Sequence, residues 1–227
     1  MNFTKELIRN ILNDKILRIL LTPWRKYYWW NKTRINPKEN KKTIAKILKE
    51  KKVIKLELGS SKRKELSDWI ASDINGSGDI KIDFTKPIPF PNESVDYIYS
   101  SHVLEHFSYP SPMLEFLKEC HRILKKDGVF SIAVPNAKLF LTAYFHPDDF
   151  DKDKFCSWEV GLKYKTPIDY VNFIAYLGGE HKHLFDIDNL KNILEEAGFT
   201  NVKERVFDSK IDLSVREHES IYAIGNK

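Results

Sequence analysis

Cysteine is nearly absent: Cys120 and Cys156 are the only two in 227 residues. Two such thiols make neither a disulfide framework nor a metal-ligand cluster, which suits a reducing cytosol. Long apolar runs are missing as well. The longest near the start, Ile16 to Leu21, is short and interrupted by Arg18, which argues against a secretory h-region or a membrane span there. Glycine is scarce, nine in all, and a GxGxxG fingerprint is lacking, which disfavours a dinucleotide-dependent dehydrogenase. No internal repeat or low-complexity tract occurs. What is present is a globular composition, 42% hydrophobic and 30% charged, with length for one ordinary domain and a substantial appendage.

Charge divides the chain. Residues 1–52 carry 15 Lys+Arg against 4 Asp+Glu, a net +11, whereas residues 53–227 carry 22 against 28, a net −6. The basic part opens with Leu7, Ile8, Ile11, Leu12, Ile16, Ile19 and Leu20 at helical spacing, which predicts an amphipathic helix ended by Pro23. Trp24, Tyr27, Tyr28, Trp29 and Trp30 follow, interleaved with Arg25 and Lys26. This combination suits an anionic bilayer interface, single-stranded nucleic acid, or packing on the main domain as a lid or subunit contact. The stretch from Asn31 to Thr43 reads as a linker before a short helix, Ile44 to Lys51. Residues 1–50 are thus expected to form a basic helical arm and linker, and residues 51–227 the principal domain.

That domain is organised around Val53 to Asp83. An apolar strand, Val53 to Leu58, delivers the glycine turn at Gly59; a second strand ends at Asp73 and a third at Asp83. Carboxylates at strand ends beside a glycine turn are how an open α/β sheet builds a nucleoside site, with Asp73 the candidate ribose acceptor. Val95 to Ser100 reads as the next strand, with Ser101, His102 and His106 at its carboxyl end and in the first turn of a helix. Ser111 and Pro112 predict a helix start, Lys125 and Lys126 suit its negative end, and Gly128 its stop. The run VFSIAVP is a strand covered on both faces. Residues 136–180 lack a clear period and read as a pocket-shaping insertion. Asp186 caps a last helix closed by Gly198, and strands Asn201 to Phe207 and Glu219 to Ile224 finish the chain.

Residues 53–227 resemble the class I S-adenosylmethionine-dependent methyltransferases, especially the small bacterial type. The resemblance rests on LELGSS, SDWIASD, FPNESVDYIYSSHVLEH, LKKDGVFSIAVP and HKHLFDIDNLKNILEEAGF, in family order and spacing. It implies an α/β, Rossmann-like doubly wound sheet of seven strands, order 3-2-1-4-5-7-6, the last antiparallel. It implies S-adenosylmethionine as cofactor, with Glu57, Gly59, Ser60 and Ser61 near its methionine end. Asp73 would hold the ribose, Asp83 and Phe84 the adenine, and Ser101 would border the sulfonium and amine. Two departures stand out: Ser61 replaces the usual second glycine, and Asp127 a glycine of the LKPGG turn.

Methyl transfer chiefly requires alignment, and an oxygen nucleophile also requires a proton acceptor, for which histidine is best tuned near neutral pH. The catalytic candidates are His183 first, then His102, with His106 packing as a structural alternative. A metal set of His181, His183 and Asp186 has no diagnostic spacing, and no metal is expected. The expected acceptor is a small molecule or glycan hydroxyl. A non-catalytic cofactor-binding or membrane-associated partner protein and a nucleic-acid methyltransferase stay open, although no nucleic-acid module is visible. The expected location is cytoplasmic, with residues 1–40 as a peripheral contact to the inner membrane face.

Overall fold

The computed structural model describes residues 35–60, 68–75, 78–156 and 166–227. The arm helix expected over residues 3–21, the aromatic cluster of 24–30 and Ser61 lie outside the described residues. None of the described helices is long and apolar enough to cross a membrane.

The first helix, α1, runs Pro37–Glu50, longer than the short helix expected at Ile44. Asn36 accepts from the amides of Lys38 and Glu39 and Pro37 supplies the first helical residue, so this stretch is capped helix rather than linker. Such a cap contributes about 1 kcal/mol, and the helix buries Ile44 in the main core.

Among the described residues six strands form one sheet in the order β2-β1-β3-β4-β6-β5: β1 Lys55–Leu58, β2 Ile70–Ser72, β3 Val95–Ser101, β4 Leu124–Pro135, β5 Thr200–Glu204 and β6 Ser220–Asn226. β1 to β4 are mutually parallel, and β6 is antiparallel to both its neighbours. This is the anticipated order with one difference. The third of the seven expected strands contracts to a single bridge, Ser72 to Ile80, because β2 offers it only three residues of edge. Ile80 and Ile82 still reach the core from that segment.

Helix α2, Met113–Ile123, starts one residue later than the Ser111–Pro112 signal implied, and the Ser111 hydroxyl donates to the Glu115 carboxylate instead of capping. It also ends before Gly128. Leu124 pairs with Val95 and Val129 with Tyr97, so residues 125–128 bulge between these registers. Lys125 therefore reaches Asp96, at 2.8 Å, rather than the helix end. Asp127 has φ 61°, the left-handed region that glycine enters without cost, which fits the glycine that the resemblance leads one to expect at this turn.

The described residues of the insertion are largely helical: α3 Ala137–Phe145, α4 Lys152–Phe155 and α5 Pro167–Tyr176. Its period was hidden because α3 buries Ala137, Phe140 and Ala143 while leaving Leu141, Tyr144 and Phe145 exposed, apolar on both sides. Phe140, Phe173 and Ile174 form a second, small core joining α3 to α5. Helix α6, Ile187–Glu196, is capped by Asp186 as expected and packs on α2 and the β5–β6 edge.

Candidate active site

β1 runs out into Gly59, whose φ of +81° an L side chain rarely adopts. A Cβ there would lie 2.2 Å from Val103 Cγ2, so conformation and space both demand glycine. The amides of Gly59 and Ser60 donate to the Ser72 carbonyl at 2.9 and 3.1 Å, tying this turn to the end of β2. Asp73 follows at once, buried, with Oδ1 accepting the Asn75 amide at 2.7 Å. Glu57 lies one residue inside β1, its carbonyl taking the Ser72 hydroxyl at 2.7 Å. Asp83 accepts from the Thr85 amide and hydroxyl and pairs with Lys86 at 3.1 Å. Burial would raise its pKa, but Thr85 and Lys86 together hold it below the usual carboxylate value. Phe84 leans on Phe116, with ring centroids 5.7 Å apart. Ser101 closes β3.

Gly59 and Ser60 follow β1, Asp73 follows β2 and Ser101 ends β3, which puts these four at the carboxyl edge of the sheet, beside the point between β1 and β3 at which the strand order reverses and open α/β sheets bind their ligands. A turn that only glycine can make and buried acid at the end of β2 fit an adenosyl group bearing a polar amino-acid tail.

On the β3–β4 side of that crevice lies a cavity of about 220 Å³, lined by His102, Glu105, His106, Pro135, His181, Arg216 and Glu219 and covered by Phe173, Ile174 and Leu177 of the insertion. His102, next after Ser101, is held with φ 54° by its amide bond to the Ala133 carbonyl. Its Nε2 is 2.7 Å from Ser220 Oγ and its Nδ1 3.7 Å from Glu105 Oε1. Burial, with help from the Arg216 charge, keeps its pKa well below the ordinary imidazole value. Glu105 and His106 belong to a single 3₁₀ turn, Leu104–His106, in place of the helix start expected there. The Glu105 carbonyl receives the amides of Lys182 and His183, at 2.8 and 3.3 Å, which docks the HKH segment onto this turn.

The Glu105 carboxyl is 1% exposed, and neither oxygen has a hydrogen-bond partner among the described residues. Burial pushes its pKa up to about 8. Glu219 is likewise raised by burial, against the pull of Arg216. Arg216 also approaches the Ser101 carbonyl and hydroxyl, at 3.4 and 3.5 Å, linking cavity to crevice.

The structure thus brings His102 and His106 together and adds His181, but His183 does not line the cavity. Its ring packs on Phe185 and Tyr109, and Nε2 lies 3.0 Å from Asn189 Oδ1. Asp186 is occupied as a helix cap. Glu105, Arg216 and Glu219 escaped the sequence reading. For Glu105 a signal existed: an acid set among Val103, Leu104 and Phe107 in one tight turn will be buried with them.

No curated protein matches the sequence. A family model described as a methyltransferase domain matches residues 25–204. Among solved structures, a SAM-dependent methyltransferase, possible histamine N-methyltransferase, from Thermotoga maritima is similar, with TM-score 0.50, 15% identity, and coverage of 92% of this chain and 99% of that one. A SAM-dependent methyltransferase from Archaeoglobus fulgidus gives TM-score 0.49 at 18% identity, over 89% and 99% of the two chains. At 15% identity the Thermotoga maritima structure speaks for the fold alone, whereas the family match spans well over half of the chain. The chain belongs to the methyltransferase domain family and has the Rossmann-like fold of such enzymes.

Proposed function

We propose that the enzyme methylates an oxygen of a small hydroxylated molecule, or of one saccharide unit of a glycan, seated in the cavity beneath the insertion. The observation that carries this reading is the lining: imidazoles, carboxyls and one guanidinium converge at the carboxyl ends of β3 and β4, next to the crevice. Such a surface offers hydrogen bonds to a polyhydroxylated acceptor and sites to receive its proton. About 220 Å³ lies below the usual span of small-molecule pockets, roughly 300–1,000 Å³, so one ring of an acceptor enters and the rest stays outside.

In this reading Asp73 accepts the ribose hydroxyls, Asp83 and Phe84 border the adenine, and Ser101 with the Gly59–Ser60 turn holds the methionine end. The cofactor supplies an electrophilic methyl group. The chain's own contribution is to hold the acceptor oxygen in line and to take its proton. We assign the second task to His102, whose backbone at φ 54° sets the ring between Ser101 and the cavity and whose burial favours the neutral, proton-accepting form. His183 supports the segment that carries His181.

The test is a screen of hydroxylated acceptors for methyl incorporation, with mass spectrometry locating the methyl group, followed by His102→Gln. The expected result is an O-methyl product and a turnover about 10²-fold lower in the variant, with cofactor affinity kept. The deficit should shrink at high pH, where the acceptor ionises unaided. A methyl group found on nitrogen or carbon overturns the oxygen assignment, and unchanged turnover removes His102 from the proton path.

A further inference from the structure

The geometry points to a metal site inside the cavity: Glu105, His106 and His181 are arranged to bind one divalent first-row transition ion through a carboxylate oxygen and two imidazole Nε2 atoms. The ligand atoms of these three residues all lie within 4.8 Å of one another, and Glu105 Oε1 is 4.0 Å from His106 Nε2.

Three observations support this independently of the acceptor reading. The first concerns the tautomers. His106 Nδ1 lies 3.1 Å from the Glu180 carbonyl oxygen, and His181 Nδ1 lies 2.6 Å from that of Ile174. A carbonyl only accepts, so both Nδ1 atoms carry the proton and both lone pairs sit on Nε2. Backbone carbonyls gripping Nδ1–H are the usual outer support of metal-ligating histidines, fixing both tautomer and ring direction. The second is the Glu105 carboxyl, buried with neither oxygen satisfied among the described residues. A buried carboxyl group without a hydrogen-bond partner is costly in either protonation state, and a cation that binds its ionised form would relieve it. The third is rigidity. Glu105 and His106 are neighbours in one 3₁₀ turn, and the segment bearing His181 is fixed to that turn by two amide bonds to the Glu105 carbonyl.

Two imidazoles and one carboxylate favour Zn²⁺ or its neighbours over Mg²⁺ or Ca²⁺, which prefer all-oxygen shells. Bonds of about 2.1 Å place adjacent ligands roughly 3 to 3.5 Å apart, so the side chains draw in by about 1 Å on loading, within reach of small χ rotations. Three protein ligands leave coordination positions open towards the cavity, where an acceptor hydroxyl would sit. The ligand set differs from the expected absence of a metal and from the HKH-plus-Asp186 set, since His183 and Asp186 are engaged elsewhere.

The test uses full-length protein stripped with chelator and titrated with Zn²⁺ and with Co²⁺, whose visible spectrum reports coordination without any turnover. The expected result is one ion per chain, with a Co²⁺ spectrum showing nitrogen and oxygen ligands. Glu105→Gln and His181→Ala should each weaken binding about 100-fold or more, and His146→Ala, at an exposed histidine outside the cavity, should leave it unchanged. Should either buried variant fail to fold by circular dichroism, His106→Gln, at the more exposed ligand, carries the same expectation. Substoichiometric metal, or the same affinity in folded Glu105→Gln, His181→Ala or His106→Gln, overturns the site. Bound metal with a nitrogen- or carbon-methylated product sinks only the oxygen assignment, and an O-methyl product without bound metal sinks only this inference.

Discussion

Asp212 and Glu105 are both buried carboxylates, 7% and 1% exposed, yet they are held in opposite ways. Asp212 accepts from Arg205 through both guanidinium ends, at 2.6 and 2.7 Å, from the Tyr99 hydroxyl at 3.0 Å, and from the Asp208 amide at 2.7 Å. Arg205 in turn donates to Ser131 and lies over the Tyr222 ring, at 4.8 Å. Neither carboxyl oxygen of Glu105 has a hydrogen-bond partner among the described residues; the imidazoles of His102 and His106 stand at 3.7 and 4.0 Å, beside the cavity. The first carboxylate is the centre of a closed network joining β3, β4 and the β5–β6 edge. The second is left open, and an open buried acid in a family of enzymes marks where a ligand belongs rather than where the fold is fastened.

The comparison breaks first, and by the largest amount, at Asp212. Asp212→Ala leaves the Arg205 guanidinium largely buried without its counter-charge, and removing one partner of such a pair costs about 3–5 kcal/mol. Urea unfolding should show that loss as a shift in midpoint at unchanged slope. A loss below about 1 kcal/mol, the scale of an exposed ion pair, would mean that the network does not fasten the sheet.

Much of the fold is legible in the sequence because it depends on local pattern. The apolar strand ending at Leu58, the continuous run of β4, and the Asp186 cap with Gly198 beyond it are each written in consecutive residues. The failures share a cause too. The stretch ending at Asp83 reads as a strand by pattern, but pairing depends on how much edge β2 offers, which no local pattern reports. Likewise α3 is apolar all round because the insertion has its own core partner in α5, and its helical period vanishes. The residues proposed for the cofactor came through the resemblance of whole motifs, and of these Gly59, Ser60, Asp73 and Ser101 stand at or just past the carboxyl ends of β1, β2 and β3. The metal-type cluster did not, because its members come from a turn after β3 and a segment after α5, brought together by backbone hydrogen bonds.

Asp73 sharpens the comparison between its two extremes. It too is buried, and it takes the Asn75 amide while standing at the crevice. If it is held for the cofactor, Asp73→Ala should weaken S-adenosylmethionine binding by about 2 kcal/mol, the scale of hydrogen bonds to a charged group. Calorimetry on the folded variant is the measurement. Unchanged affinity would assign Asp73 to the Asn75 turn alone and would align it with Asp212 instead of Glu105.

The smallest effect, and the sharpest contrast, is expected from Glu105→Gln in metal-stripped protein. The substitution keeps the volume of the side chain and removes its capacity to ionise. No hydrogen bond to the carboxyl oxygens is lost, since none is formed among the described residues, and the new amide can turn its N–H groups towards the lone pairs of His106 and His181. The stability change should therefore stay within about 1 kcal/mol and can be a gain, because a buried carboxyl without partners costs more than it returns. The same chemical change at the other carboxylate, Asp212→Asn, takes the counter-charge from Arg205 and must cost several-fold more. Adding Zn²⁺ should then raise the melting temperature of the wild type while leaving Glu105→Gln where it was, since only a native state that binds the ion gains from it. If Glu105→Gln unfolds the metal-free protein as readily as Asp212→Asn does, Glu105 is a structural anchor, and the distinction between a fastened carboxylate and an open one fails.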